Sequence, residues 1–235
     1  MSHKYRIIST IIEDRIMDGI YPSNTKIPTE EALMQEFDVS RNTIRKAIGL
    51  LSRQGYIISV QGSGMFVRDV DHINAINLEN FHGLSSNHKK NRIETKILDF
   101  QEISANREIA IEMNCEVGTQ LYFVNRLRIV DGNRWVVEYS YFNRNLIPYL
   151  NREIIENSIY SYIQEGLRQE VGYIDRLIEA GSLDNTNAEL LGLHLGDPAL
   201  KTTSKAMLKN GEIFDYSIDY HHYKYARFLK LSSPI

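Results

Sequence analysis

From Val39 to Arg68 the chain carries no aspartate or glutamate, yet it holds Arg41, Arg45, Lys46, Arg53 and Arg68. The whole chain is slightly acidic, with net charge −3 and a pI of about 6.2, so this stretch is a local exception. It requires a fold with one positive face near the N-terminus, which is what a phosphate-facing surface looks like. A solvated basic helix would account for charge alone equally well, and the pattern of apolar residues is what separates the two.

Ile7, Ile8, Ile11, Ile12, Ile16 and Met17 recur at helical spacing and predict a first helix over about 4–19, punctuated by Gly19 and Pro22. Pro28-Thr29 starts a short second helix with Thr29 as N-cap and Ala32, Leu33 and Phe37 inward. After the tight Phe37-Asp38-Val39 connection, Ser40 caps a third helix whose inner face is Ile44, Ala47, Ile48 and Leu51. Its outer face carries Arg41, Asn42, Thr43, Arg45 and Lys46 near the N-terminal end. A short helix, a three-residue turn and a helix with basic first turns is the helix-turn-helix layout. Those turns enter the major groove, where Arg bridges guanine O6 and N7 and Asn bridges adenine. Two β-prone runs, Tyr56–Val60 and Met65–Val67, follow, joined by Gln61-Gly62-Ser63-Gly64. They read as the wing of a winged helix, its glycines permitting positive φ and close approach to DNA.

Pro28-Thr29-Glu30, Phe37 through Ala47, Leu51, Gly55-Tyr56-Ile57 and Gly62 through Val67 together resemble the GntR family of bacterial regulators, over nearly all of residues 4–68. The resemblance implies DNA contacts at Arg41, Thr43 and Arg45 and at the wing glycines Gly62 and Gly64. Thr29, Asn42, Lys46 and Ser63 complete the candidate DNA-binding set. One residue departs from the family: Glu31 stands where an arginine is usual. A carboxylate cannot grip a phosphate, although it can accept from cytosine N4.

Behind a polar connector at 69–92, the chain repeats itself. Helix 108–114, Gly118, strand 121–130, a turn at Asp131-Gly132-Asn133 and strand 135–142 recur about 77–79 residues later as helix 187–193, Gly196, strand 200–208, a turn at Asn210-Gly211 and strand 213–220. Glu138-Tyr139-Ser140 aligns with Asp215-Tyr216-Ser217. A helix at 157–166 and a strand at 172–180 lie between the copies. The duplication predicts an α+β domain with antiparallel hairpins, helices on one face, and a ligand cleft between the halves. The expected domains are therefore 1–68 for DNA binding, 69–92 as linker and 93–235 for effector binding and dimerisation.

Asn80-Phe81, Arg126-Leu127-Arg128, Glu138, Asn157-Ser158-Ile159-Tyr160, Leu191-Gly192-Leu193, Gly196, Pro198 and Phe214-Asp215-Tyr216 resemble the UTRA effector-binding domain of the HutC subfamily. That resemblance implies a chorismate-lyase-like fold and an effector of the phosphorylated-sugar class. At its end the likeness fails: His222-Tyr223-Lys224-Tyr225 replaces the Arg-x-Asp-Arg/Lys run common in the subfamily.

Arg126 and Arg128 lie two apart on a strand and so share a face. Side by side they repel, unless an anion lies between them. Ser158 opens a helix whose N–H groups favour an anion too. Alternatively, Arg128 pairs with Glu138. A three-residue turn centred on Asn133 would set the two opposite each other, whereas a two- or four-residue turn would put Glu138 opposite Leu127. The candidate effector residues are thus Phe81, Arg126, Arg128, Glu138, Ser158, Tyr160 and Asp215, with Glu138 and Asp215 addressing hydroxyls.

Several classes fall away. No window approaches the roughly 18 uninterrupted apolar residues of a membrane helix. The single cysteine, Cys115, allows no internal disulfide and fits a reducing cytoplasm. The histidines at 72, 82, 88, 194 and 221 have no metal-ligand spacing, and His221-His222 on one strand would point to opposite faces. No cofactor motif, nucleophile elbow or other catalytic residue is visible. The resulting expectation is a cytoplasmic, homodimeric repressor that binds a palindromic double-stranded DNA operator and is released by a small anionic effector. The alternative is a lyase-like enzyme acting on an aromatic or sugar acid.

Overall fold

A computed structural model describes residues 4–68, 75–78 and 91–230, which divide into two compact units. The first contains α1 (Lys4–Met17), α2 (Glu30–Phe37), α3 (Arg41–Arg53) and the hairpin β1 (Ile57–Val60) and β2 (Gly64–Val67). Thr29 and Ser40 cap α2 and α3, accepting from the backbone N–H groups of Ala32 and Thr43. Between the helices Asp38 takes the left-handed conformation at φ 48° and ends α2. Ile44, Ala47, Ile48 and Leu51 turn into a core with Ile8, Ile12 and Leu33, the inner face that the spacing predicts. In the hairpin, Val60 pairs with Gly64 around a three-residue loop, where Gly62 and Gly64 have φ of 75° and 113°. Residues 24–27 run beside β2, with the Ile27 N–H donating to Met65 O at 3.0 Å, so the hairpin both closes the core and projects its tip.

The second unit is built on a six-stranded antiparallel sheet. Its elements are β4 (Ile93–Ser104), α4 (Arg107–Glu112), β5 (Gln120–Val130), β6 (Asn133–Asn143), α5 (Arg152–Glu156), α6 (Ile159–Ser161), β7 (Val171–Ser182), α7 (Asn185–Leu191), β8 (Pro198–Leu208) and β9 (Ile213–His222). The strand order is β4-β5-β6-β9-β8-β7. Two short strands, β3 (Ile76–Asn77) and β10 (Phe228–Leu229), pair separately.

The duplication is real and closely kept. Asn106 caps α4 as Asp184 caps α7, and Gly118 and Gly196 occupy equivalent positive-φ positions, each pair 78 residues apart. Each half is thus a strand, a helix and a hairpin, and the halves meet along β6 and β9. The sequence reading misaligned the last strand. Arg126 stands opposite Glu138, and its 78-residue counterpart Ser204 stands opposite Ser217. Glu138 is therefore equivalent to Ser217 rather than to Asp215. The longer second turn, from Leu208 to Glu212 against Val130 to Asn133, produces the shift.

Helices cover both faces, not the one expected. Apolar side chains of α4 and α7 pack on Leu121, Leu127, Val137 and Tyr216. On the other face, α5 and α6 bring Ile155 and Ile159 onto Val124, Phe142 and Ala206. The single helix expected at 157–166 is divided. Asn157 donates its side-chain amide to Glu153 O at 2.8 Å and ends α5, Ser158 caps α6, and the chain continues into a π-helical turn at Tyr162–Gly166. Strand β4 is an addition to the sequence reading.

Gly172 sits at a bulge in β7, where a Cβ would lie 2.8 Å from Lys209 Cα and 2.9 Å from Leu208 O. Backbone cannot yield as a side-chain tip can. Gly172→Ala should therefore destabilise this unit by about 1–3 kcal/mol. Gly181→Ala, with nothing within 4 Å, should cost little. Urea unfolding followed by fluorescence of Trp135, the only tryptophan, reads this unit alone.

Candidate DNA interface and effector site

In the first unit, Arg41, Asn42, Arg45 and Lys46 are exposed along the start of α3. Thr43 is half-buried and exchanges a 3.0 Å hydrogen bond with Ser40. Thr29 is exposed but occupied in capping α2. The wing tip, Gly62-Ser63-Gly64, is exposed. Tyr5, Gly49 and Arg53 extend the surface by framing an open groove with Arg45 and Lys46. Arg45 is not loose: both oxygens of Glu30 lie 3.1 Å from its Nε. Glu31, the residue that departs from the family, is exposed.

In the second unit the sheet register assembles a polar floor. Directly opposite residues on neighbouring strands project from one face. Arg126, Glu138, Asp219 and Thr202 therefore form one row across β5, β6, β9 and β8. The next row is Ser140, Ser217, Ser204 and Arg176, and in the third Asp215 stands between Phe142 and Ala206. The apolar side chains of α5 and α6 wall one side.

The turn question resolves in a third way. Asp131 and Gly132 form a two-residue turn at φ 49° and 79°. A bulge between Arg128 and Ile129 then shifts the register by one, so Arg126 rather than Arg128 faces Glu138. Arg126 Nε donates to Glu138 Oε2, and its Nη1 donates to the Ile155 carbonyl of α5 at 2.8 Å. The guanidinium expected to wait for an anion is thus already paired at one edge and tied to a helix at the other. Arg128 is buried at 2% exposure. Burial, with Arg126 close by, lowers its pKa to about 10.

Tyr160 donates to Asp215 Oδ2 at 2.8 Å. Oδ1 of Asp215 is buried with no hydrogen-bond partner among the described residues. Burial pushes Asp215 up to about 7 against the pull of Tyr160 and Arg126. Burial and the neighbouring Glu138 carry Asp219 up to about 8, although Thr202 donates to it at 3.0 Å. Burial would raise Glu138 too, but Arg126 and Arg128 hold it below the ordinary range. Burial lowers His221 to about 4; it lies 3.2 Å from Thr202 Oγ1.

Of the predicted effector residues, Arg126, Glu138 and Asp215 thus share one floor, with Tyr160 over it and Arg128 one row above. Ser158 accepts from the Ser161 N–H at 3.2 Å, which occupies its oxygen in the cap. Phe81 lies outside the described residues. The sequence reading missed Asp219, Thr202, Ser204, Ser217 and Arg176. The alternation Asp215-x-Ser217-x-Asp219 was the signal for Ser217 and Asp219, since period-two polarity places them on the face of Asp215. Among the described residues no group of His, Cys, Asp and Glu side chains is arranged to hold a metal ion, and no helix is long and apolar enough to cross a membrane.

Comparison with known proteins bears on both units. Residues 4–67 match the model for bacterial regulatory proteins of the gntR family, and residues 88–227 match the UTRA domain. YydK of Bacillus subtilis (strain 168), an uncharacterised HTH-type transcriptional regulator, is 34% identical over 226 residues, which is 96% of either chain. Its crystal structure superposes with a TM-score of 0.81 over 98% of this chain and 99% of that one. The HTH-type transcriptional regulator GmuR of the same organism is 31% identical over 94% of each chain. MngR of Escherichia coli (strain K12), repressor of a mannosyl-D-glycerate transport/metabolism system, is 29% identical over 92% of this chain and 91% of its own. These relatives carry the names of regulators rather than enzymes, and the lyase-like alternative falls away.

The raised carboxyls make stability depend on pH in a fixed direction. Folded Asp215 and Asp219 hold protons that unfolded carboxyls, with pKa near 3.9, release. Stability therefore falls as pH rises through about 7 and 8. His221 acts oppositely and only lower, between its unfolded value of about 6.5 and its folded value of about 4. Between pH 6.5 and 8.5 the Trp135-reported melting temperature of the ligand-free protein should decline, and Asp219→Asn should flatten that slope. An equal slope in the variant would exclude a protonated Asp219.

Proposed function

This chain belongs to the gntR family of bacterial regulatory proteins, with a UTRA domain behind its winged helix, and we propose that it represses transcription from a palindromic operator until a small anionic effector releases it. Arg41, Asn42, Thr43, Arg45 and Lys46 read and grip the major groove, helped by Thr29 at the start of α2. Gly62, Ser63 and Gly64 approach the adjoining backbone or minor groove. Two recognition helices are needed for a useful site length, so the operator is palindromic and the protein a homodimer, joined through residues 93–235. It works in the cytoplasm, where its DNA lies.

The observation that carries the effector reading is the floor itself: guanidinium, carboxyl and hydroxyl groups in adjoining rows, set beside an apolar wall. Burying such groups costs free energy unless they are paired or used, and Asp215 Oδ1 has no partner among the described residues. A phosphorylated sugar fits the chemistry. Its phosphate meets Arg126, Arg128 and the chain at Ser158, while Glu138 and Asp215 accept from hydroxyls beside Tyr160, with Phe81 contributing from the preceding segment. MngR, whose name places it over a system for a sugar derivative, supports the sugar class.

Thermal-shift screening of the full chain against phosphorylated sugars tests this reading. A ligand at 100 times its Kd adds about 2.7 kcal/mol. The matching variant is Arg126→Lys, because Arg126→Ala would strand buried Glu138 and unfold more than it informs. Lysine keeps the charge but loses the planar fork that joins Glu138, Ile155 and an anion. Operator affinity should stay intact while the effector concentration needed for release rises at least tenfold. Unchanged release would place the effector elsewhere.

The departure at residue 31 gives a second expectation. Glu31→Arg should tighten DNA binding and steepen its salt dependence by about one phosphate contact. An unaltered salt slope in electrophoretic mobility shifts would show that residue 31 faces away from DNA.

A further inference from the structure

Glu30 and Arg45 form an ion pair between α2 and α3 beside the candidate DNA surface. Glu30 is the first residue of α2, fixed by the Thr29 cap, and Arg45 lies on the second turn of α3. The contact is one-sided in an informative way. Both Glu30 oxygens lie 3.1 Å from the single Nε of Arg45, and the two terminal nitrogens make no hydrogen bond among the described residues. The arginine side chain remains 64% exposed while that of Glu30 is 31% exposed. The guanidinium is therefore held by its inner edge, and its outer edge faces solvent.

That outer edge is the one a guanine needs. Bridging O6 and N7 takes two N–H groups pointing the same way, and the terminal pair supplies them without disturbing Nε. A free arginine loses rotamer entropy when it is fixed, whereas a guanidinium already held by its neighbour has less freedom left to lose on binding. The carboxylate also offsets one positive charge at the interface. Sequence-independent attraction to phosphates scales with such charges, so the same contact weakens non-specific binding.

We propose that Glu30 is a specificity-determining positioning residue, which holds Arg45 by Nε so that its terminal fork reads one base edge, and which lowers affinity for unrelated DNA. The proposal rests on the reading above that α3 enters the major groove.

The test selects duplexes from a randomised pool with the full-length protein and with Arg45→Ala, Glu30→Gln and Glu30→Asp. Gln keeps the reach and an acceptor oxygen but loses the charge. Asp keeps the charge and suits a helix N-terminus, so folding is preserved, but it is one methylene too short to reach Nε. Arg45→Ala should erase the preference at one base pair of the selected site. Glu30→Asp should weaken the preference at the same pair at least fivefold. Glu30→Gln should retain it and bind the unselected pool more tightly than wild type. If the preference follows charge instead, kept by Asp and lost by Gln, the positioning role is overturned. It is overturned equally if both variants keep the wild-type preference while Arg45→Ala loses it, and the reading of α3 then stands. If Arg45→Ala changes no base preference, the assignment of Arg45 as a base reader fails first and takes this inference with it.

Discussion

The pairing of Arg126 with Glu138 organises the effector unit. A carboxylate sunk in a sheet face is tolerable only with a cation against it, and removing either member of such a pair typically costs 3–5 kcal/mol. Here the pair does more than neutralise itself. Arg126 also holds the Ile155 carbonyl, so the charge on the floor is tied to the helix that walls the site. Glu138 in turn stands opposite Asp219, and its retained charge is one reason Asp219 keeps a proton. One ion pair thus sets the position of α5 and the protonation of its neighbour.

The winged helix was legible because its information is local. Capping residues, the left-handed turn and the inner face of α3 lie within a few residues of the features they determine, and each appears where the spacing puts it. The floor was only half legible. Parity alone places Arg126 and Arg128 on one face, but which of them meets Glu138 depends on a one-residue bulge that no local signal announces. The likeness of Glu138-Tyr139-Ser140 to Asp215-Tyr216-Ser217 misled by two residues, because turn length and not side-chain likeness fixes register. Strand β4 escaped notice since its charged residues follow a polar connector without a break in character. The alternation of Asp215, Ser217 and Asp219 would ordinarily point to water. Here helices cover both faces, so the polar face turns inward.

Both candidate sites use the same physical device on different elements. In each, a carboxylate takes one edge of a guanidinium and so fixes how the rest of it is presented. In the winged helix Glu30 leaves the outer edge of Arg45 to solvent. On the floor Glu138 takes Nε of Arg126 while a backbone carbonyl takes Nη1. An arginine so restrained gives direction to its hydrogen bonds, which a lysine's point charge could not.

The duplication has a consequence for the shape of what the floor can recognise. Had the halves stayed identical, the axis passing between β6 and β9 would have made the floor two-fold symmetric, and any molecule lacking that symmetry would have had two equivalent poses. Divergence removed the degeneracy. Arg126 answers to Ser204 and Glu138 to Ser217, while Asp219 answers to Ser140, so equivalent places in the two halves carry different groups. The two ends of the floor are therefore chemically distinct. A molecule with two different ends would have a single best orientation on such a surface.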